Sequence, residues 1–163
     1  MDLIIGTGLI GSALLARLPG SSLVDRKTLD LERPDLRLPE APAGCSPYAW
    51  GTAYICAGVS GFEECEGNAQ AYRVNVDGTL QVARTLIHRL QMFVVFISSR
   101  SIEWELRSAY SMHKALVEIA LMSMGPHAIV RPTCKITSEN VAEFCVKLAH
   151  IGTEKLEGIH RIP

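Results

Sequence analysis

Short apolar runs alternate with longer amphipathic stretches along this chain. The runs are too short for helices and predict strands, at positions 2–5, 22–24, 53–56, 93–97, 128–130 and 158–162. Helical spacing of apolar residues predicts helices, at positions 12–18, 68–90, 110–124 and 140–150. Strands that alternate with helices form a parallel sheet covered on both faces. The pattern therefore predicts a doubly wound α/β fold with three layers, αβα.

Two stretches refine this prediction. The run Phe93–Ile97 is apolar at every position, which is typical of a central parallel strand. From Arg33 to Pro47 the chain is rich in proline and has little periodicity. We therefore expect a loop there instead of a full crossover helix, and a short connection between the second and third strands.

Length, composition and charge bound the class of protein. The chain has 163 residues, 48% of them hydrophobic and 20% charged, which suits one domain with a sizeable core. A formal net charge of −1 gives no overall field that would attract nucleic acid or an acidic membrane. No apolar run approaches the roughly 20 residues of a membrane span, and the acidic Asp2 directly after Met1 does not fit a signal peptide. A cytoplasmic protein without nucleic-acid or membrane partners is expected.

The cysteines and histidines form no disulfide or metal pattern. The cysteines are odd in number and include no Cys-x-x-Cys pair; they are Cys45, Cys56, Cys65, Cys134 and Cys145. Most lie among apolar residues, so reduced and buried thiols are expected. The five histidines are scattered as well, so no zinc site is predicted.

A glycine-rich turn joins the first strand to the first helix. In Gly6-Thr-Gly-Leu-Ile-Gly11, the first glycine permits a tight turn, Gly8 lets the backbone approach a pyrophosphate, and Gly11 allows the helix to pack closely on the strand. Asp25 ends the second strand, where a carboxylate accepts hydrogen bonds from a ribose diol. That carboxylate favours binding of NAD, whereas the neighbouring Arg26 could accommodate the additional phosphate of NADP. The alternative is a tight strand-to-helix turn that binds nothing.

A second group of polar residues follows the central strand. Tyr110 and Lys114 stand four positions apart and share one face of a predicted helix. A nearby ammonium lowers the pKa of a phenol toward the working range, and it can also hold ribose hydroxyls. Ser98 and Ser99 end the central strand where the ligand crevice of such a sheet opens. Ser99 is our first choice for binding a substrate oxygen; the alternative is that these serines only cap the strand or the next turn. His113 points about 100° away from Lys114 on the helix and is expected at the surface or in an interface.

Taken in order, these motifs resemble the short-chain dehydrogenase/reductase superfamily. The likeness is greatest to its extended and atypical branch, which contains NAD-dependent epimerases and dehydratases and dTDP-4-dehydrorhamnose reductases. It spans nearly the whole chain and rests on Gly6–Gly11, Asp25, Asp30–Leu31, Cys56–Ser60, Val74–Thr79, Phe96–Ser99, Tyr110-x-x-x-Lys114 and Val130–Thr133.

The resemblance implies a Rossmann-type NAD(P)-binding domain and a role for each matched residue. Tyr110 would move the proton, Lys114 would lower the pKa of Tyr110, and Ser99 would orient the substrate oxygen during hydride exchange with the nicotinamide. Asp30 and Leu31 would flank the adenine, and Ala57 and Gly58 would run under the pyrophosphate and nicotinamide ribose. Asn75 would hold the strand-end loops near the cofactor. Thr133 would border the nicotinamide. The implied cofactor site consists of Gly6, Gly8, Leu9, Ile10, Gly11, Asp25, Arg26, Asp30, Leu31, Cys56, Ala57, Gly58, Asn75, Tyr110, Lys114 and Thr133.

The chain also departs from the family pattern. Ile5 replaces the first aligned glycine, few residues separate Ser99 from Tyr110, and the chain runs almost directly from Thr133 to the helix at Asn140. The family's substrate-binding subdomain is therefore expected to be missing. Two functions remain open. One is a minimal NAD(P)-dependent oxidoreductase or epimerase acting on a nucleotide-sugar-like or small carbonyl or alcohol substrate. The other is a noncatalytic NAD(P)-binding sensor or assembly subunit.

The helix over 109–124 is apolar around most of its circumference, which one sheet cannot bury. Related enzymes pair this helix and the preceding long one across a two-fold axis. We therefore predict a homodimer through the helices at 68–90 and 109–124. The alternative is that the C-terminal helix covers the extra apolar surface.

Overall fold

The computed structural model describes residues 1–25, 27, 29–31 and 51–163. In this part of the chain, parallel strands form a six-stranded sheet in the order β2-β1-β3-β4-β5-β6. The strands are β1 (Leu3–Ile5), β2 (Ser22–Val24), β3 (Thr52–Ile55), β4 (Phe93–Ile97), β5 (His127–Pro132) and β6 (Gly158–Ile162). The predicted doubly wound parallel sheet is confirmed. The predicted proline-rich loop at 33–47 lies outside the described residues.

Helices lie between the strands, as the periodicity predicts, with small shifts at their ends. They are α1 (Leu9–Leu15), α2 (Phe62–Cys65), α3 (Ala69–Tyr72), α4 (Thr79–Arg84), α5 (Ala109–Leu121) and α6 (Val141–Glu154). The stretches Arg73–Gly78 and Thr85–Arg89 have wider, π-helical turns. Together with α3 and α4 they make one continuous helical segment over 69–89, which we call the long helix. No helix in the described ranges is long and apolar enough to cross a membrane.

The inner strands β1, β3, β4 and β5 bury alternate residues in two different cores, because side chains along a strand point to opposite faces. In β1, Leu3 and Ile5 join the core under the long helix and α5, whereas Ile4 joins the core under α1 and α6. In β4, Phe96 packs with the first core and Val95 with the second. The central strand is thus fully buried, as its apolar run predicts.

The order of the strands places a crevice beside β1. From β1 the chain moves outward to β2 and then returns to pair β3 on the other side of β1. Connections that leave a parallel sheet in opposite directions open a cleft at the carboxyl ends of the strands. Candidate binding residues are therefore expected just after β1, β2 and β3.

A network of ion pairs ties the last two strands to α5. The Arg131 guanidinium, in β5, donates to both carboxylate oxygens of Glu118 in α5 and to Glu103 at 3.0 Å. Arg161, in β6, donates to the same Glu103 oxygen at 2.8 Å. Glu118 is almost fully buried, with 3% of its side chain exposed. This buried carboxylate is balanced by Arg131, as a charge in the interior must be.

Candidate functional site

A cavity of about 390 Å³ opens above the carboxyl ends of β1, β2 and β3. The turn at Gly6 and Gly8 forms one wall, and Asp25, Asp30 and Leu31 form another. The Oδ1 atom of Asp25 accepts a hydrogen bond from the Lys27 amide at 3.0 Å, which holds this carboxylate at the end of β2. Arg26, which the sequence suggests could accommodate NADP, lies outside the described residues.

The three glycines of the turn differ in why they lack a side chain. Gly6 has a φ of +110°, and a Cβ atom there would lie 2.8 Å from the Ala57 amide nitrogen. A Cβ on Gly11 would lie much too close to the Gly6 carbonyl oxygen. Gly8 has an ordinary φ of −69°, and no atom lies within 4 Å of its missing Cβ. Neither conformation nor packing requires glycine at position 8, so the open space beside it fits close approach by a ligand.

Asn75 holds the segment that follows β3. Its side-chain oxygen accepts from the Val59 amide at 2.7 Å, and its amide nitrogen donates to the Val59 carbonyl at 2.9 Å. The residue lies in a π-helical stretch of the long helix, a geometry often found at functional sites. Asn75 lines neither cavity, but it holds in place the backbone of Gly58 and Val59, which line both.

A second cavity of about 780 Å³ adjoins the first and shares the wall formed by Gly8 and residues 56–59. The remaining predicted site residues lie around it: Leu9, Ile10, Ser99, Tyr110, Lys114 and Thr133. The fold therefore brings the glycine turn and the Ser-Tyr-Lys group to one continuous crevice. The described members of the predicted site line one or both cavities, except for Gly11, packed beneath the turn, and Asn75.

The Lys114 ammonium lies at the base of the second cavity. Its Nζ donates to the Ile97 carbonyl at 2.8 Å and lies 4.8 Å from the centre of the Phe96 ring. Burial lowers the pKa of Lys114 to about 8. The side chain therefore carries its charge at neutral pH and loses it in mildly alkaline solution.

Tyr110 differs from the sequence-based expectation. Burial, the largest effect, raises the pKa of its phenol, and a hydrogen bond with Ser99 partly offsets that rise. The Lys114 ammonium lies 5.9 Å from the centre of the Tyr110 ring, so it faces the ring rather than pairing with the hydroxyl. In this geometry the Ser99 hydroxyl is a group that lowers the pKa of the phenol.

Cys56 lines both cavities, and the pKa of its thiol does not favour the nucleophilic thiolate. Burial is the main reason that the pKa of its thiol rises to about 12. At neutral pH this side chain is a small apolar group in the wall between the cavities. Among the described residues, no group of three or more His, Cys, Asp or Glu side chains is placed to hold a metal ion.

His113 is not at the surface, and the expectation of a surface or interface position is wrong. The residue is only 5% exposed, packs its ring edge to face on Tyr72, and places Nδ1 3.5 Å from the Asn75 amide nitrogen. The helical wheel predicts only a direction, and here the long helix covers that direction. Burial lowers the pKa of His113, so the ring is neutral at pH 7.

Two further groups of residues at the site escaped the sequence analysis. Phe62 and Trp104 line the second cavity beside Tyr110, and the Phe62 ring meets both other rings edge to face. Three serines, Ser101, Ser108 and Ser111, extend from Ser99 by side-chain hydrogen bonds. The only signal for the serines is their frequency around the start of α5, which also fits helix capping.

Sequence searches against protein-family models and curated proteins find no match. Solved structures give clear matches. The dTDP-4-dehydrorhamnose reductase of Clostridium acetobutylicum matches with a TM-score of 0.76 at 15% sequence identity, over 99% of this chain and 74% of that one. The corresponding enzyme of Bacillus anthracis, solved in complex with NADP, matches with a TM-score of 0.74 at 15% sequence identity, over 99% of this chain and 74% of that one. The enzyme WbmG of Bordetella bronchiseptica, solved in complex with NAD, matches with a TM-score of 0.67 at 13% sequence identity, over 99% of this chain and 72% of that one.

These similarities confirm the predicted resemblance at the level of the fold. The chain spans about three quarters of the length of the reductases it matches. The sheet and its flanking helices correspond throughout this chain, so the extra length of the neighbours lies in additional segments. This difference agrees with the shortened substrate region that the sequence predicts after Thr133.

Proposed function

We propose that this chain binds a nicotinamide dinucleotide along the crevice and acts as a minimal NAD(P)-dependent oxidoreductase or epimerase. The observation that carries the proposal is the continuity of the two cavities through Gly8 and residues 56–59. One cavity holds the glycine turn and Asp25; the other holds Ser99, Tyr110 and Lys114. A ligand with a nucleotide at one end and a reactive ring at the other fits this arrangement. The structural neighbours solved with NADP and NAD support it.

The residues of the first cavity suit the adenosine half of such a ligand. The open space at Gly8 would admit the pyrophosphate, and Asp25 would accept hydrogen bonds from the ribose diol. Asp30 and Leu31 would flank the adenine. A carboxylate at position 25 repels a 2′-phosphate, so we propose that NAD binds more tightly than NADP.

The residues of the second cavity suit proton transfer at a carbon–oxygen bond. When bound, the nicotinamide supplies or accepts the hydride. Ser99 would orient the substrate oxygen, and Tyr110 would give it a proton in reduction and take that proton back in oxidation. The Lys114 ammonium, which donates to the Ile97 carbonyl at the end of β4, would also hold the ribose hydroxyls. Thr133 would border the nicotinamide.

The substrate is proposed to be a small carbonyl or alcohol compound or a nucleotide sugar. The second class comes from the reductases that the structure resembles. A specific observation also favours the other function, a noncatalytic NAD(P)-binding sensor or assembly subunit. Only the short stretch between Thr133 and α6 follows β5, and a substrate-binding segment is absent from this place in the described chain.

Calorimetry followed by one substitution tests these alternatives. The four oxidised and reduced coenzymes should bind, NAD forms more tightly than NADP forms; no heat with any of them at millimolar concentration would contradict the proposal. Tyr110→Phe should reduce turnover by about a hundredfold or more, because it removes the hydroxyl proposed to move the proton. Coenzyme binding without turnover, in the wild-type chain and the variant alike, would favour the noncatalytic module.

We also propose that the chain forms a homodimer through the long helix and α5. An apolar stripe at helical spacing lies on the outer side of α5 and consists of Met112, Leu116, Ile119 and Met122, which are 42–67% exposed. The C-terminal helix α6 packs on the opposite core and does not cover this stripe. A second copy related by a two-fold axis would bury it.

A further inference from the structure

A row of serine hydroxyls runs from the candidate catalytic tyrosine to the start of α5. Ser99 and Tyr110 both line the second cavity, and the Ser99 hydroxyl lowers the pKa of the Tyr110 phenol. The Oγ atoms of Ser99 and Ser101 are 2.9 Å apart, and those of Ser101 and Ser111 are 2.7 Å apart. The Oγ atom of Ser108 lies 3.0 Å from that of Ser111. Four hydroxyls are thus in unbroken contact between the second cavity and the amino end of a helix.

The hydrogen bonds of this row point one way. The Ser108 hydroxyl donates to Ser111, and the Ser111 hydroxyl donates to Ser101. The contact between Ser101 and Ser99 permits donation in the same direction. The Ser108 hydroxyl can also donate to the Glu105 carbonyl, 3.1 Å from its Oγ atom, so its hydrogen has a second orientation turned away from the row. When it points inward, every hydroxyl donates toward Tyr110.

Burial separates the middle of the row from solvent. Ser111 has no exposed surface and Ser101 is 4% exposed, whereas Ser108 is only partly buried. Hydroxyls in a water-poor interior polarise one another, so an aligned row stabilises negative charge at its end more than one isolated hydrogen bond does. The outer end of the row can exchange protons with water at Ser108.

We propose that Ser99, Ser101, Ser111 and Ser108 form a proton relay that serves Tyr110. The proposal rests on the proposed function, in which Tyr110 protonates the substrate oxygen. In carbonyl reduction, the substrate carbon receives a hydride from the reduced nicotinamide, and the substrate oxygen receives the phenol proton. The phenolate then takes the Ser99 proton, each serine takes the proton of the next, and Ser108 takes one from water. Oxidation of the alcohol runs every transfer backward.

Other ionisable groups also surround the phenol. The Cys65 thiol packs near it from α2, and Lys114 faces its ring from α5. The Glu66 carboxylate accepts from the Ala109 amide at 3.4 Å, at the start of the same helix. None of these groups continues the row of hydroxyls. Their charges are unchanged by a serine-to-alanine substitution, so such a variant tests the relay alone.

Ser101→Ala is the sharpest test, because the Ser101 hydroxyl contacts only the two neighbouring hydroxyls of the row. The Tyr110 phenol is titrated by NMR of carbon-13-labelled tyrosine, with Tyr110→Phe to identify its signal. We expect Ser101→Ala to raise the midpoint of this titration. Turnover should fall on the order of tenfold with KM unchanged, and the solvent deuterium isotope effect on kcat should increase.

Matched variants separate the relay from a structural role. Ser101→Thr retains a hydroxyl and should restore both the titration midpoint and turnover. Ser123→Ala removes an exposed hydroxyl at the far end of α5, where it donates to the Ala120 carbonyl, and should change neither. Circular dichroism and Tm establish that each variant is folded. If Ser101→Ala is not folded, Ser111→Ala breaks the same row one hydroxyl further out and takes its place.

The outcomes distinguish failure of the relay from failure of the proposed function. An unchanged Tyr110 titration and unchanged turnover in a folded variant would overturn the relay, even if the wild-type chain binds coenzyme and turns over substrate. If the wild-type chain binds no coenzyme, the proposed function fails. The Tyr110 titration still decides then whether the hydroxyls donate to this phenol, because it needs neither coenzyme nor substrate.

Discussion

Single residues in this protein reveal which positions serve packing and which are left for a ligand. Gly6 and Gly8 stand two positions apart in the same turn, yet only Gly6 is required by the fold. Its φ of +110° and the nearby Ala57 amide leave no room for a side chain. Gly8 adopts a conformation that any residue adopts and faces open space. The two glycines therefore separate stability from binding.

Alanine at Gly6 should mainly affect stability, whereas alanine at Gly8 should mainly affect coenzyme binding. Gly6→Ala should lower the free energy of unfolding by about 1–3 kcal/mol, because it forces a side chain into a positive φ and against backbone. Gly8→Ala should leave stability within about 0.5 kcal/mol and weaken coenzyme binding, because the new methyl group occupies the space proposed for the pyrophosphate. Urea unfolding and calorimetry measure the two effects. Unchanged coenzyme affinity in Gly8→Ala would contradict this placement.

His113 gives the protein a dependence of stability on pH. Burial lowers the pKa of its ring below the ordinary value of 6.5. As the pH falls below 6.5, the unfolded chain takes up a proton that the folded chain does not, so stability decreases until the pH reaches the folded-state pKa. His113→Gln should reduce the loss of Tm between pH 7 and pH 5, as measured by thermal denaturation.

The exposed His88 offers the control for this effect. His88→Gln should retain the wild-type loss of Tm in acid. Groups that face His113 are the Glu66 carboxylate, which raises its pKa, and the Lys114 ammonium, which lowers it. Equal acid sensitivity in wild type and His113→Gln would show that another group is responsible.

The sequence predicts the positions of residues that carry strong local signals. It does not predict properties that depend on contacts with residues distant in the chain. Ser99, Tyr110 and Lys114 follow from their places at a strand end and on a helix face. The burial of His113 depends on Tyr72 from the long helix, and a helical wheel contains no such neighbour. The pKa of Tyr110 depends on burial and on Ser99. Spacing alone predicts that Lys114 is near, but not that it turns toward the Ile97 carbonyl.

At the scale of elements, the ion pairs around Arg131 connect α5 with β5 and β6. Because Glu118 is buried, its loss leaves the Arg131 guanidinium, 12% exposed, without its two-point partner. Glu118→Ala should lower the free energy of unfolding by about 3 kcal/mol, the lower end of the range for breaking a buried pair, since Glu103 still neutralises part of the charge. Chemical denaturation measures this change.

The pair Glu143–Lys147 on the surface of α6 provides the comparison, with 2.8 Å between the charged atoms. Both side chains are exposed, so Glu143→Ala should cost less than about 1 kcal/mol. Similar losses for the two alanine variants would mean that Glu118 contributes no more than an ordinary surface pair.

The elements themselves were largely predictable because their patterns are local. All six described strands overlap the predicted ones, and the wholly apolar run Phe93–Ile97 indicates a central strand. The wide turns at Arg73–Gly78 were not foreseen. Helical periodicity does not encode such turns. α5 ends at Leu121 and α6 at Glu154, a few residues from their predicted ends, and α6 is closed by Lys155 in a left-handed conformation.

At the scale of the whole molecule, the outer face of α5 exposes a stripe of large apolar residues. Ile119 is 67% exposed in the middle of the apolar stripe. Ile119→Glu should convert the proposed dimer to a monomer, because a dimer would have to bury two like charges facing each other across the two-fold axis. Analytical ultracentrifugation at micromolar concentration measures the change in mass.

Val146, on α6, offers a matched control, since it is 48% exposed on the other side of the sheet. Val146→Glu should leave the mass unchanged. A wild-type chain that sediments as a monomer would contradict the dimer, and the apolar stripe would then need another explanation.

The wall between the two cavities has a consequence for how this molecule responds to its ligands. Residues 56–59 contact both spaces, and the Asn75 side chain holds them through Val59. The proposed dinucleotide would extend across this segment into both spaces, and a substrate would lie beside its nicotinamide end in the second one, so movement of the segment would affect both ligands. Thermodynamic linkage then requires reciprocity: the factor by which coenzyme tightens substrate equals the factor by which substrate tightens coenzyme. Because the Asn75 side chain holds this segment, replacing it is expected to change that shared factor.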